Sequence, residues 1–385
     1  MKKKLLMENF DDIRCYNDNE YQNVAKRLVK EEVLLHGIQK YHPELSLDQI
    51  KDMLLSYQTI NQFQYDVVRR TLERVVERTV TNLTYDGFFD LNGKDRYTFV
   101  SNHRDIVLDS GLINYQLIKE IGFTGCEIAI GSNLLKNPIV RDIVRLNKSF
   151  MVKRNLPNQE MIEASKQLSN YIQFVLNNKK ESVWIAQREG RAKDGNDVTN
   201  PGVLKMFCFS ANGDLLEHIK QMDIIPVALS YEYNPCDAIM LPDLIAKANG
   251  VPYEKKQGED VLHMATGIDG FKGNINIFFC PPINDKLSEL KEVKNRNELL
   301  KKIAEIIDKE IQTNYHLWPN NYIAFDLLNE TNKYNGNYSE AEKQQFISYM
   351  NKQLTSVGLQ NNTQANSIFL EMYANPVVNK YKYLS

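Results

Sequence analysis

From residue ~95 to ~285, short apolar runs alternate with stretches of helical periodicity, and this alternation constrains the fold more than any other feature. Tyr97-Thr98-Phe99-Val100, Ser149-Phe150-Met151-Val152, Ser182-Val183-Trp184-Ile185 and Ile224-Ile225-Pro226-Val227-Ala228-Leu229 read as strands. Helical patterns fill the intervals at ~110–120, ~135–146, ~158–178 and ~203–219. Strands alternating with helices predict an α/β fold with a mixed, largely parallel sheet flanked by helices, because a parallel pair needs a crossover long enough to hold a helix. Asn274-Ile275-Asn276-Ile277-Phe278-Phe279 predicts a late strand of the same sheet.

Both flanks read differently. Residues ~10–85 are expected to be helical, with apolar positions three and four apart at Val24, Leu28, Val29, Val33 and Leu34, and again at Val67, Val68, Leu72, Val75, Val76 and Val80. His42-Pro43 separates the two runs, and Ser46 with Gln49 forms a helix-capping pattern. The chain turns helical again from ~287, with Asn- and Gln-rich loops expected at 358–366. The expected division is an N-terminal helical extension over 1–90, an α/β domain over 91–286 and a C-terminal helical extension over 287–385.

A net charge of -2 over 385 residues gives no support for nucleic-acid binding. Cys15, Cys126, Cys208, Cys236 and Cys280 lack paired spacing, which argues against a zinc site or disulfide framework and fits a reducing cytoplasm. The basic N-terminus has no apolar core behind it, and no window approaches the ~18 apolar residues that span a bilayer. A lipid substrate would therefore be met by peripheral contact with the inner membrane face, through an apolar patch on the N-terminal helices.

The sharpest chemical feature is Ser101-Asn102-His103-Arg104-Asp105-Ile106-Val107-Leu108-Asp109, which follows a strand and opens a helix. Open α/β sheets place their sites at such strand ends. A nearby carboxylate can accept the imidazole N–H and fix the tautomer, leaving the other ring nitrogen to take a proton from a hydroxyl. His103-Arg104-Asp105 also matches part of a kinase catalytic loop, but position 110 is Ser where that loop needs Asn. Arg154, Arg188, Arg191 and Lys193 lie at strand ends, where they can converge on a phosphate.

The ordered segments resemble the four motifs of the glycerol-phosphate and lysophosphatidic acid acyltransferase superfamily, as a divergent bacterial branch, over roughly 95–285. They are the His103 segment, Lys148–Arg154, Trp184–Gly195 and Asp223–Glu232. The resemblance implies a His-Asp catalytic dyad and no metal or organic cofactor. It implies acyl transfer from an acyl carrier protein or coenzyme A thioester to the hydroxyl of a glycerol-phosphate or lysophospholipid acceptor. Substrate binding is carried onto Arg104, Lys153, Arg154, Arg188, Glu189, Gly190, Arg191 and Lys193. Two departures stand out. The family's acid follows His by four intervening residues, a position held here by Leu108. Asp109, one position late, is the favoured partner and Asp105 the runner-up. Ala192 stands where the third motif has arginine, so Arg191 or Lys193 takes its place. Rival readings are an amine acceptor giving an amino-acid lipid, a hydrolase, and a lipid-binding protein without activity. Tyr231, Glu232, Tyr233 and His263 are further cleft candidates, for each of which a structural role is the favoured expectation.

Overall fold

The computed structural model describes residues 10–87, 91, 96–121, 125–211 and 213–384. Among these, seven strands form one sheet: β1 (Val80–Asp86), β2 (Thr98–Ser101), β3 (Cys126–Gly131), β4 (Ser149–Val152), β5 (Ser182–Ala186), β6 (Ile224–Tyr231) and β7 (Gly273–Phe279). Their order is β1-β7-β6-β2-β5-β3-β4, and every adjacent pair is parallel except β6 with β7. The expected helix-flanked, largely parallel sheet is present.

Helices cover both faces, so central strands are apolar on both sides. Phe99, Trp184, Ile225, Val227, Ile275 and Ile277 pack with Leu108, Leu112 and Leu117 of the Leu108–Ile121 helix. On the opposite face Val100, Val183, Ile185 and Ile224 pack with Leu168 and Ile172 of the Asn158–Phe174 helix and Ile303 and Ile307 of the Arg296–Asn314 helix. Every residue of β6 is buried, at ~1.5–3 kcal/mol for each large apolar side chain.

The N-terminal helices build their own cluster around Tyr21, Leu28, Ile50 and Phe63, closed by Leu146. They are tied to the sheet region by Tyr16 and Arg27, both bonded to Asp142, and by Met151 N donating to Ile13 O at 2.7 Å. The Ser46–Gln49 capping pair forms in both directions. A third cluster joins Met240, Leu241, Phe346, Phe369 and Tyr373 of the later helices.

Three sequence expectations are corrected, and one strand was not anticipated. Val80–Asp86 is an edge strand paired with β7, not a continuation of the helical region. Cys126–Gly131 is a strand that the apolar runs did not mark. The stretch at ~203–219 divides into Pro201–Phe207 and Leu215–Lys220, each started by a capping side chain, Asn200 and Asp214. The Asn- and Gln-rich segment contains the start of a 22-residue helix, Thr363–Leu384. No helix among the described residues is long and apolar enough to cross a membrane.

Candidate functional site

β2 lies between β5 and β6, all three parallel, so their carboxyl ends share one edge of the sheet. His103 leaves that edge two residues after β2 ends at Ser101. Its Nδ1 lies 2.8 Å from Asp109 Oδ2. Against a carboxylate acceptor Nδ1 carries the proton, which leaves the Nε2 lone pair free to accept one. The same oxygen of Asp109 accepts from Arg104 N at 2.6 Å and Asp105 N at 3.0 Å. Oδ1 of Asp109 accepts from the Tyr231 hydroxyl at 2.9 Å. Asp109 is wholly buried, so these contacts define its position closely.

Asp105 does not reach the imidazole by hydrogen bond. Its Oδ1 accepts from Val107 N and Leu108 N, each at 2.8 Å, satisfying amides at the start of the Leu108–Ile121 helix. This local turn takes up the additional residue between His103 and Asp109, and the next helical residue after Leu108 carries the acid back under the imidazole. Burial, followed by the charge of Asp109, raises the Asp105 pKa. Gly267 lies against the Asp105 carboxylate, and a Cβ at position 267 would collide with Oδ2.

The scaffold around His103 comes from distant segments. Asn102 substitutes for a ladder residue: its Nδ2 donates to Leu229 O at 2.8 Å and its Oδ1 accepts from Leu229 N at 2.7 Å. His103 N donates to Asp197 Oδ2 at 2.8 Å, and Gln187 holds the other oxygen of Asp197 at 2.9 Å. Ala192 N donates to His103 O at 3.1 Å, which fastens the 187–199 loop onto the histidine segment. Trp184 Nε1 donates to Ser101 Oγ at 3.1 Å, with its ring 6.1 Å from the imidazole.

The C-terminal helices hold the far side of the 187–199 loop. Asp308 accepts from both Thr199 N and Thr199 Oγ1, and Gln312 donates to Asp197 O. Asn375 donates to Asp194 O. Gly195 has φ +73° and lies against Met372 O, so a side chain there meets both backbone strain and a steric block.

His103 lines a cavity of about 420 Å³. Its lining includes apolar Ile128, Ile130, Val140, Val144, Ile185 and Met206. It also includes Arg154, Arg188, Glu189, Gly190, Arg191, Lys193 and Lys255. The cations differ in how they are compensated. Arg154 Nη1 lies 2.8 Å from Glu189 Oε2, Lys193 pairs with Asp243, and Lys255 Nζ lies 2.7 Å from Asp260 Oδ1. Arg188 donates to Asn196 O at 3.3 Å.

Two residues expected among the substrate contacts lie elsewhere. Lys153 pairs with Asp12 at 2.5 Å and borders a separate surface groove along the Asn158–Phe174 helix. Arg104 is 8% exposed and sits in the field of Asp197, Tyr315 and Tyr373, outside the cavity wall. Glu232 accepts from Asn274 N and Nδ2, a structural clasp between β6 and β7, and Tyr233 packs on Tyr349 at 4.5 Å. Asp197 and Gln187 were not marked by the sequence. Gln187 lies within the Trp184–Gly195 segment but not at a position its motif marks, Asp197 lies beyond it, and the contacts of Asp197 with His103 and with Gln187 depend on the loop's folded path. Among the described residues, no group of three or more His, Cys, Asp or Glu is placed to hold a metal ion.

The sequence matches no protein-family profile and no curated protein. The crystal structure of the 1-acyl-sn-glycerophosphate (LPA) acyltransferase PlsC from Thermotoga maritima is similar to this chain at 13% identity and a TM-score of 0.35, covering 81% of this chain and 97% of that chain.

Proposed function

We propose that this protein is an acyltransferase that moves a fatty acyl group from a coenzyme A or acyl carrier protein thioester to the hydroxyl of a phosphate-bearing glycerolipid-type acceptor. The observation that carries this reading is the His103–Asp109 pair at the wall of a cavity with both apolar and cationic lining. The apolar lining suits an acyl chain, and the cations suit an acceptor phosphate.

In this mechanism His103 Nε2 takes the proton of the acceptor hydroxyl as its oxygen attacks the thioester carbonyl. Asp109 stabilises the resulting imidazolium and keeps the ring in place. The tetrahedral intermediate collapses, the carbon–sulfur bond breaks, and the imidazolium returns its proton to the departing thiolate. The thioester is already activated, so no acyl-enzyme is required. Arg154, Arg188, Arg191 and Lys193 would hold the acceptor's phosphate, with the hydroxyl near His103.

Incubation of the protein with labelled acyl thioester and a panel of lysophospholipids, glycerol phosphate, amines and water alone tests this. The expected product is an ester of a phosphate-bearing acceptor. An amide product would favour the amino-acid lipid reading, free fatty acid the hydrolase, and no product the silent binder. The acceptor's setting at a bilayer is tested separately by flotation with anionic vesicles at low salt.

A further inference from the structure

His263 lies on the Glu259–Asp269 helix, outside the strand-end segments that carry the other site residues. It is 2% exposed. Its Nδ1 lies 2.8 Å from Arg191 Nη2. A guanidinium only donates, so Nδ1 is the acceptor and the proton resides on Nε2. Nε2 has Glu259 Oε1 at 3.9 Å, beyond hydrogen-bond reach. Burial, followed by the charges of Arg191, Lys193 and Lys255, pushes the His263 pKa down to about 4, with Glu259 opposing the shift.

Arg191 differs from the carboxylate-paired cations of the cavity wall. Arg154, Lys193 and Lys255 each have an acid partner. Among the described residues Arg191 has no such ion pair; it contacts neutral His263 and the Cys236 thiol, and the buried Asp105 carboxylate acts on it through charge alone. Its Nη1 is buried and without a hydrogen-bond partner. A buried guanidinium donor without an acceptor is costly to leave unmade. Arg191 lines the cavity, so an anion entering it would meet a guanidinium that no carboxylate holds in an ion pair.

We propose that His263 is a positioning residue for anion recognition: its neutral imidazole holds Arg191 so that the guanidinium takes the phosphate of the acceptor. A carboxylate in its place would hold the arginine but cancel its charge. A neutral acceptor orients the arginine and leaves its positive charge for the ligand. This rests on the acyl-transfer reading for the identity of the acceptor, but not for the anion site itself.

The test is calorimetric binding of glycerol 3-phosphate to the full chain, with glycerol as the control lacking phosphate, and acyl transfer measured in parallel. His263→Ala should raise the Kd for glycerol 3-phosphate about tenfold, the scale expected for one charge-assisted hydrogen bond. His263→Asn, which offers an amide oxygen as acceptor, should recover much of the loss. The His263→Ala and Arg191→Ala effects should not add in the double variant, since both act through one guanidinium. Unchanged binding by His263→Ala, additive effects, or no phosphate-dependent binding by the wild type would overturn the proposal. If His263→Ala unfolds, the Asn variant decides: a Kd near wild type supports the assignment, and a Kd raised tenfold or more refutes it. If the binding pattern holds while no acceptor is acylated, the acyl-transfer reading fails and the anion site stands. If acyl transfer to phosphorylated acceptors proceeds with full binding in every His263 variant, the reverse holds.

Discussion

His103 Nδ1 and Asp109 Oδ2 are 2.8 Å apart although five residues separate them in the chain. The backbone between them is shortened by Asp105, whose carboxylate caps Val107 N and Leu108 N. The two aspartates therefore have separate structural tasks, one at the imidazole and one at the helix start, and substitution can resolve them.

His103→Ala should leave the fold intact and reduce acyl transfer by ~10²–10⁴-fold, the usual contribution of a general base. Initial rates with labelled thioester, alongside a thermal melt, measure both. A folded variant that turns over at near the wild-type rate would remove His103 from the mechanism.

Asp109→Asn should lower kcat by ~10²-fold or more, because an amide nitrogen turned toward Nδ1 would disfavour the productive tautomer. Asp105→Ala should instead lower stability by about 0.5–2 kcal/mol through loss of the helix cap. Paired rate and urea-denaturation measurements separate the two effects. If Asp105→Ala proves the more damaging to kcat in a fully folded protein, the roles are exchanged.

Tyr231→Phe should act through Asp109. It removes the O–H that donates to Asp109 Oδ1 at 2.9 Å and leaves a buried carboxylate oxygen short of a donor. The expected stability loss is about 1–3 kcal/mol. Acyl-transfer kcat should fall as well, since the carboxylate that orients His103 is held less firmly. An unchanged kcat would limit Tyr231 to packing.

Arg191→Ala should raise the KM for a phosphate-bearing acceptor more than Arg154→Ala does. The charge of Arg154 is already partnered by Glu189 at 2.8 Å, whereas Arg191 rests against neutral His263. Neither change should alter the KM for an acceptor without phosphate. Equal effects of the two substitutions would contradict this ranking.

Asp237 gives a pH signature away from the site. Burial raises its pKa to about 6, opposed by hydrogen bonds from Tyr373 and Tyr349. The folded state then holds this proton more tightly than the unfolded chain, whose ordinary value is near 3.8. Stability from this group is complete below about pH 4 and is lost as pH rises through about 6. The loss is of order 2–3 kcal/mol at ~1.4 kcal/mol per pH unit. Asp237→Asn should flatten this part of the stability profile, measured by denaturant melts between pH 4 and 7. An identical slope in the variant would show that other groups set it.

What the sequence determined by itself was local. Tyr97–Val100 and Ile224–Leu229 are runs of strand-forming side chains bounded by helical periodicity, so their state is legible without a partner. The position of His103 directly after such a run placed it at a strand end. The helical pattern before Val80 concealed β1, whose pairing partner β7 begins 193 residues later at Gly273. Tertiary structure alone decided which aspartate meets the imidazole, because that choice depends on the direction of the Asp105 carboxylate and on Tyr231, 122 residues beyond Asp109. It also decided which cations share the cavity wall. Lys153 and Arg154 are adjacent in sequence, yet Lys153 pairs with Asp12 while Arg154 lines the cavity. Apolar periodicity reports burial along a single element, whereas charge pairing and hydrogen-bond direction depend on groups brought together from distant elements, which a linear pattern does not encode.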